Sequence, residues 1–330
     1  MSLDPDHAPL RKLIWVGMTV LVRICPLCGQ SMSRVLYRPA NSPGPVVRCG
    51  NCELVHIGLI ENDRALISVG PVLGDSDPAV LTSSDLNDIA GSWELDYLPA
   101  KLTELPALRL DSEAALGRIA RYRQPPGRLL DFGCGWGFFL GAAAEAGWEG
   151  FGLEPLPALA VYARSRFRAR VVTDIMRDDT FPPDYFDVVT SFQVFEHLPY
   201  PLDDLRRVHR SMKPEGLVLI EAPSIDALSV CLLRSRHRHF VPDHLNFFSR
   251  RTMRLLVERA GFELVAFYQP ARNMTLGHLV SFWGARYLSR SLVFYAERIL
   301  HSLALYAIVV KMNVYDNVGV IARKPRPLDR

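Results

Sequence analysis

Leu129-Leu130-Asp131-Phe132-Gly133-Cys134-Gly135-Trp136-Gly137 carries an apolar run into an acid and then into three glycines at alternate positions. Helix-forming residues follow. Glycines at a strand-to-helix bend let a ligand lie directly against the backbone. Nicotinamide enzymes use a similar bend, so the loop by itself names no ligand. Two features set this one apart. The acid precedes the glycines, where it can meet a cationic ammonium group. The spacing Gly133-x-Gly135-x-Gly137 also lacks the G-x-G-x-x-G run that seats a pyrophosphate on a helix N-terminus.

Outward from this bend, short strands and helices alternate. Strands are expected at Arg128–Cys134, Trp148–Glu154, Val171–Asp174, Phe186–Val194, Leu217–Ala222, Phe262–Tyr268 and Asn317–Lys324. Helices are expected at Trp136–Ala146, Pro157–Phe167, Leu202–Met212 and Arg250–Ala260. Such alternation gives an α/β protein with a mostly parallel sheet covered on both faces. Residues 93–123 read as helical, with Ser112 or Asp111 as a cap before Leu116 and Ile119. Two more acids close strands. Glu154 is placed to accept both hydroxyls of a ribose. Asp174 is either a contact for an adenine amine or a helix N-cap.

Asp131–Gly137, Glu154, Asp174 and Phe186-Asp-Val-Val-Thr-Ser-Phe-Gln-Val-Phe-Glu-His197 resemble the motifs of class I S-adenosylmethionine-dependent methyltransferases. So do Met212–Ile220, His244-Leu-Asn-Phe-Phe-Ser249 and Leu255–Phe262. The closest group is the one similar to ubiquinone and menaquinone methyltransferases. The resemblance covers about residues 95–270 plus the last strand. It implies a Rossmann-like, doubly wound sheet of seven strands whose last strand, Asn317–Lys324, runs antiparallel. It implies S-adenosylmethionine as methyl donor, held by Asp131, Gly133, Cys134, Gly135, Gly137, Glu154, Asp174 and Gln193. It also places Glu196-His197 beside the acceptor. His197 is then the first candidate for general base, since histidine titrates near neutrality. Glu196 is its orienting partner or an alternative base, and His244 is a further candidate whose plain role is to stabilise a loop. Tyr97 and Trp93 precede the domain and read as core aromatics or as a cover for the donor pocket.

Nearer the N-terminus, Cys25-Pro-Leu-Cys28 and Cys49-Gly-Asn-Cys52 are separated by a turn-rich stretch. Two such knuckles complete a tetrahedron of thiolates, the geometry of structural zinc, with no coordination position left for water. A redox dithiol is the alternative. The expected layout is a zinc-ribbon module with an N-terminal extension over 1–65, a linker over 66–92, and a methyltransferase domain over 93–330. That domain carries an apolar helical insertion at 276–312, where relatives have a short connection. Arg286, Arg290, Glu297 and His301 make a polar stripe along it. Its apolar face is expected to pack on the sheet or on a second copy, to cover a greasy acceptor, or to touch a membrane.

Composition narrows the partners. The chain has 330 residues, 49% apolar and 22% charged, with 38 basic against 35 acidic side chains, a net charge of +3. That balance does not ask for nucleic acid. Arg234-Ser-Arg-His-Arg-His239 is the densest basic run and reads as a solvated loop or an anion contact. Arg164, Arg166, Arg168 and Arg170 read as facing water. The run Leu13–Val22 after Arg11-Lys12 resembles the start of a leader but ends at Arg23 without a small-residue cleavage site. Unpaired Cys134 and Cys231 fit a reducing compartment. The expectation is a cytoplasmic enzyme, or one peripheral to the inner membrane face. It would methylate a small-molecule or lipid-linked acceptor such as a sugar, quinone-like or natural-product scaffold, with oxygen the favoured atom. The rival readings are an RNA methyltransferase and a non-catalytic donor-binding module.

Overall fold

The computed structural model describes residues 24–40, 42–58, 97–284, 289–313 and 315–327. The run Leu13–Val22, the linker 66–92 and Trp93 lie outside the described residues. Three short strands come first, β1 (Ser33–Tyr37), β2 (Val46–Cys49) and β3 (Val55–Ile57), paired antiparallel in that order. Helices α1 (Leu98–Thr103) and α2 (Leu105–Ile119) follow, each with a proline in its first turn. That proline sets the start of α2, seven residues ahead of the expected cap. Ser112 therefore sits inside the helix and donates to the Leu108 carbonyl at 2.8 Å. Asp111 instead accepts from the Asn273 backbone N–H and side-chain amide at 3.0 and 2.6 Å.

The alternating region is β4 (Arg128–Phe132), α3 (Phe138–Glu145), β5 (Glu149–Leu153), α4 (Pro157–Phe167), β6 (Arg170–Val172), β7 (Phe186–Phe192), α5 (Pro201–Ser211) and β8 (Met212–Pro223). Next come α6 (Leu228–Leu233), β9 (Asn246–Phe247), α7 (Arg250–Arg259), β10 (Glu263–Tyr268), β11 (Arg272–Thr275), α8 (Arg290–Ser302), β12 (Val309–Met312) and β13 (Asn317–Arg323). The main sheet has seven strands in the order β10-β13-β8-β7-β4-β5-β6. Strands β8 to β6 run parallel, and β13 is antiparallel to both its neighbours. This is the mostly parallel sheet that the alternation predicts, with the reversed strand that the family resemblance implies.

Strands buried on both faces read as continuous apolar runs, and β7 is buried from Phe186 to Ser191. One face carries Phe132, Leu205, Met253 and Leu256; the other carries Ala115, Phe139, Ala143 and Ala160. The strand order reverses between β4 and β7. Open α/β sheets bind ligands outside the carboxyl ends of the strands at such a point.

The insertion differs from a plain helical segment. β11 and β12 pair antiparallel and bracket helical turns and α8. His278 Nδ1 lies 2.6 Å from Glu104, and Asn273 reaches Asp111, so the insertion is fastened to α2 and the residue before it. Leu292, Phe294, Tyr295 and Ile299 of α8 stay exposed. Among the described residues, no helix is long and apolar enough to cross a membrane.

Candidate active site

The β4–α3 bend is built by its glycines. Gly133, Gly135 and Gly137 all have positive φ, a region that L side chains rarely occupy. Helix α3 starts only at Phe138 because Gly137, at φ +76, cannot belong to it. A Cβ on Gly133 would fall 2.4 Å from Val194 Cγ2, so the loop after β7 packs against the bend. A Cβ on Gly135 would meet nothing nearer than Leu159 at 3.9 Å. The bend is thus closed on one side and open at Gly135.

That opening belongs to a cavity of about 250 Å³ lined by Asp131, Gly133, Cys134, Gly135, Phe139 and Phe192, among others. Asp131 is 3% exposed and accepts from Thr190 Oγ1 at 2.8 Å. Burial, reinforced by nearby Glu154 and only partly offset by Thr190, pushes its carboxyl up to about 7. Glu154 accepts the Gly135 N–H and the Leu156 N–H, each at 2.9 Å. Burial lifts its carboxyl too, and these two donors work against that rise. The strand-end acid and the glycine bend are therefore one hydrogen-bonded unit. Cys134 is buried beneath it, with its thiol pushed well up by burial.

Asp174 stands two residues beyond β6, where it accepts the Ile175 N–H at 2.7 Å and pairs with Arg177 at 2.9 Å. No helix follows it, so it closes a turn and is not an N-cap. Gln193 has φ +58 and donates its backbone N–H to the Glu221 carbonyl; its side-chain Nε2 is buried without a hydrogen-bond partner.

The cavity also contains residues that sequence reading passed over. Glu221, near the end of β8, accepts from Tyr268 Oη at 3.0 Å. It faces Arg272 at 3.5 Å and Arg118 at 3.9 Å. Arg118 also lies over the Tyr268 ring, 4.5 Å from its centroid. A lone acid closing the apolar run Leu217–Ile220 was the available signal for Glu221. The two arginines come from α2 and β11, and no local spacing links them.

The acceptor-side candidates lie beyond Val194, outside this cavity's lining. His197 Nδ1 lies 2.9 Å from the Asp243 carbonyl, with the Asp243 carboxylate at 3.5 Å. A carbonyl only accepts, so Nδ1 carries a proton, and in the neutral ring the lone pair is then on Nε2. Glu196 makes no hydrogen bond to His197. Its carboxyl is fully buried with both oxygens unpartnered, and burial drives it up to about 8. His244 stands edge-on to the His197 ring at 4.8 Å between centroids. Burial, with His197 alongside, takes its imidazole down to about 4. One potential ligand atom from each of Glu196, His197 and His244 lies within 4.8 Å of the others.

Several surface expectations change. Arg164 turns inward onto the Val171 carbonyl and Thr173, whereas Arg166, Arg168 and Arg170 are exposed. Within the basic run, His237 and His239 are 2% and 5% exposed, and Arg238 pairs with buried Asp316. The acid buried at the start of β13 draws that half of the run inside. Arg234 and Arg236 remain exposed. Tyr97 is 59% exposed, so it is no core aromatic.

The four cysteines converge. Cys25 and Cys52 Sγ are 3.5 Å apart, as are Cys28 and Cys49, and all four lie within 4.8 Å of one another. A tetrahedral site with metal–sulfur bonds near 2.3 Å needs sulfurs about 3.8 Å apart. The donor set and spacing fit zinc. Gly29, at φ +73, closes the first knuckle. The second places Glu53 at φ +68.

Residues 108–266 match the family model described as a methyltransferase domain. Those residues are similar to methyltransferase domains. A ubiquinone biosynthesis O-methyltransferase of Xanthomonas campestris pv. campestris is 30% identical over 151 residues, which are 42% of this chain and 60% of that protein. The Pseudomonas aeruginosa protein of the same name is 34% identical over 101 residues, 28% of this chain and 43% of that protein. The chain thus spans less than two thirds of the length of these relatives. Among solved structures, a chain of the complex between the Haloferax volcanii Trm112 methyltransferase activator and a methyltransferase superposes with a TM-score of 0.51 at 16% identity. It covers 74% of this chain and 99% of its own, and the likeness is one of fold. The bend, Glu154 and Glu196-His197 all fall within the matched methyltransferase domain.

Proposed function

We propose that the chain is an S-adenosylmethionine-dependent O-methyltransferase acting on a small or lipid-linked acceptor. The observation that carries this reading is the unit formed by Asp131, the side-chain-free bend at Gly135 and Glu154, at the sheet's topological switch point. An acid with a single partner suits the donor's ammonium group. Glu154 suits the ribose hydroxyls. Arg118 and Arg272 line the cavity beside Glu221 and Asp111, where they can meet the donor's carboxylate. The named ubiquinone O-methyltransferase relatives support a hydroxyl acceptor of quinone-like chemistry.

The donor, when bound, supplies a methyl group already activated on a sulfonium. The chain then has to align, exclude water and move one proton. His197 Nε2 holds a lone pair because Nδ1 is committed to Asp243. It takes the acceptor hydroxyl's proton as the carbon–oxygen bond forms and the sulfur–carbon bond breaks. The products are a methyl ether, the thioether nucleoside and one proton on His197. The Asp243 carboxylate is placed to stabilise the resulting imidazolium. Glu196, protonated near neutrality, adds no competing charge.

The test is incubation with trideuteriomethyl S-adenosylmethionine and a panel of catechols, polyprenylated catechols, sugars and transfer RNA, read by mass spectrometry. Label in a hydroxyl-bearing small molecule is expected. Label in RNA alone, or in nothing while the donor binds, overturns the reading in favour of its rivals.

A further inference from the structure

Strand β3 is paired on both edges. On one side lies β2; on the other lies β9, in the loop after α6. Val55 and His56 stand opposite Phe247 and Asn246, and the Ile57 N–H donates to the Leu245 carbonyl at 2.9 Å. The sheet of the cysteine module is thereby extended by a piece of the acceptor side.

β9 has only two residues and cannot hold itself in place. Its other edge is bonded to the turn that carries Glu196-His197. The Leu245 and Asn246 N–H groups both donate to the Glu196 carbonyl, at 2.6 and 3.0 Å. The Asn246 side-chain amide donates to the Phe195 and Leu198 carbonyls, at 3.2 and 2.7 Å. Two residues upstream of Leu245, Asp243 supplies the carbonyl that fixes the His197 ring. Apolar contacts reinforce the bridge: Val46, Val55 and Ile57 share a core with Phe240, Leu245 and Phe247.

The register of β3 is set by the cysteines just before it. Cys49 N–H donates to the Leu54 carbonyl, and Glu53 N–H to the Cys49 carbonyl. The turn forces non-glycine Glu53 into the left-handed region, a strained state that persists only where surroundings over-determine it. Four thiolates on one metal would supply that constraint.

We infer that the four-cysteine module is the positioning element of the acceptor side. By fixing β3 it fixes β9, and through β9 it sets the ring orientation of His197. The inference rests on His197 being the acceptor-side base and on the thiolates holding a metal. The donor bend touches this chain of contacts at Val194, against Gly133, while its hydrogen bonds go to Leu153 and Glu154 and not to β9.

The experiment compares amide exchange in the full-length protein before and after chelation, with S-adenosylhomocysteine affinity measured in parallel. Protection is expected to fall over 55–58, 240–248 and 194–198 together, while 129–137 and donor affinity hold. Exchange that rises only within 24–58 overturns the inference. Should chelation also abolish donor binding, Asn246→Ala decides, because it keeps all four cysteines. In that variant zinc and donor affinity are retained, kcat falls about 10- to 100-fold, and the His197 ring loses its fixed Nδ1–H tautomer in histidine nitrogen spectra. An unchanged tautomer refutes the proposal. The exchange and tautomer readouts need no acceptor, so they stand apart from the fate of the methyltransferase reading.

Discussion

Replacing Asp131 by asparagine removes one charge from a site 3% exposed and barely changes its shape. The carboxyl moves from its ordinary 3.8 to about 7 on folding, chiefly through burial. At 1.36 kcal/mol per decade, that is an ionisation cost on the order of 4 kcal/mol. An ammonium about 4 Å away returns on the order of 4 kcal/mol at an effective dielectric near 20. The two effects nearly balance, so the acid ionises as the ammonium arrives. Asp131→Asn should weaken S-adenosylhomocysteine binding about 10- to 150-fold, the worth of a charge-assisted hydrogen bond. Wild-type affinity should weaken as pH falls below about 7, approaching tenfold per pH unit, because a proton must then be expelled. The variant should show no such slope. Stability moves in the opposite sense. The native carboxyl keeps its proton from the unfolded value near 3.9 up to about 7, so its contribution to stability falls as pH rises through that window. The empty variant should therefore melt higher than wild type above about pH 7. Calorimetric titrations across pH, with thermal melts, check both. Equal affinity in the variant, or a flat wild-type profile below neutrality, refutes the reasoning.

His197→Gln should lower kcat by about 10²- to 10⁴-fold with donor affinity unchanged, as read by labelled methyl transfer beside calorimetry. Gly133→Ala sets a Cβ 2.4 Å from Val194 Cγ2 at φ +77 and should lower the melting temperature; the cost is about 1–3 kcal/mol. Gly135→Ala has room around its Cβ, so it should melt closer to wild type yet bind S-adenosylhomocysteine poorly. Atomic emission should find about one zinc per chain, and Cys52→Ser should lose it and melt earlier.

What could be read in the sequence was what is local. The glycine bend and the alternation of apolar strands with helices depend on neighbouring residues, and both are present; the direction of the last strand came only from the family resemblance. Helix α2 was misjudged because its start is set by Pro106, while Ser112 returns its hydroxyl to the helix backbone. The two knuckles were legible because metal spacing is a short-range pattern. Their coupling to His197 was not. It runs through Ile57, Leu245 and the Glu196 carbonyl, three segments far apart in the chain. Arg118 and Arg272 were hidden for the same reason. Helical periodicity gave α8 its conformation, yet periodicity cannot say what covers a face, and Phe294 and Tyr295 remain exposed.

A crystal structure of the chain with S-adenosylhomocysteine puts the whole account at risk. The nucleoside should lie against Gly135, its amino group on Asp131 and its ribose hydroxyls on Glu154. Electron density for it anywhere else, with the bend filled by protein or water, would contradict the account.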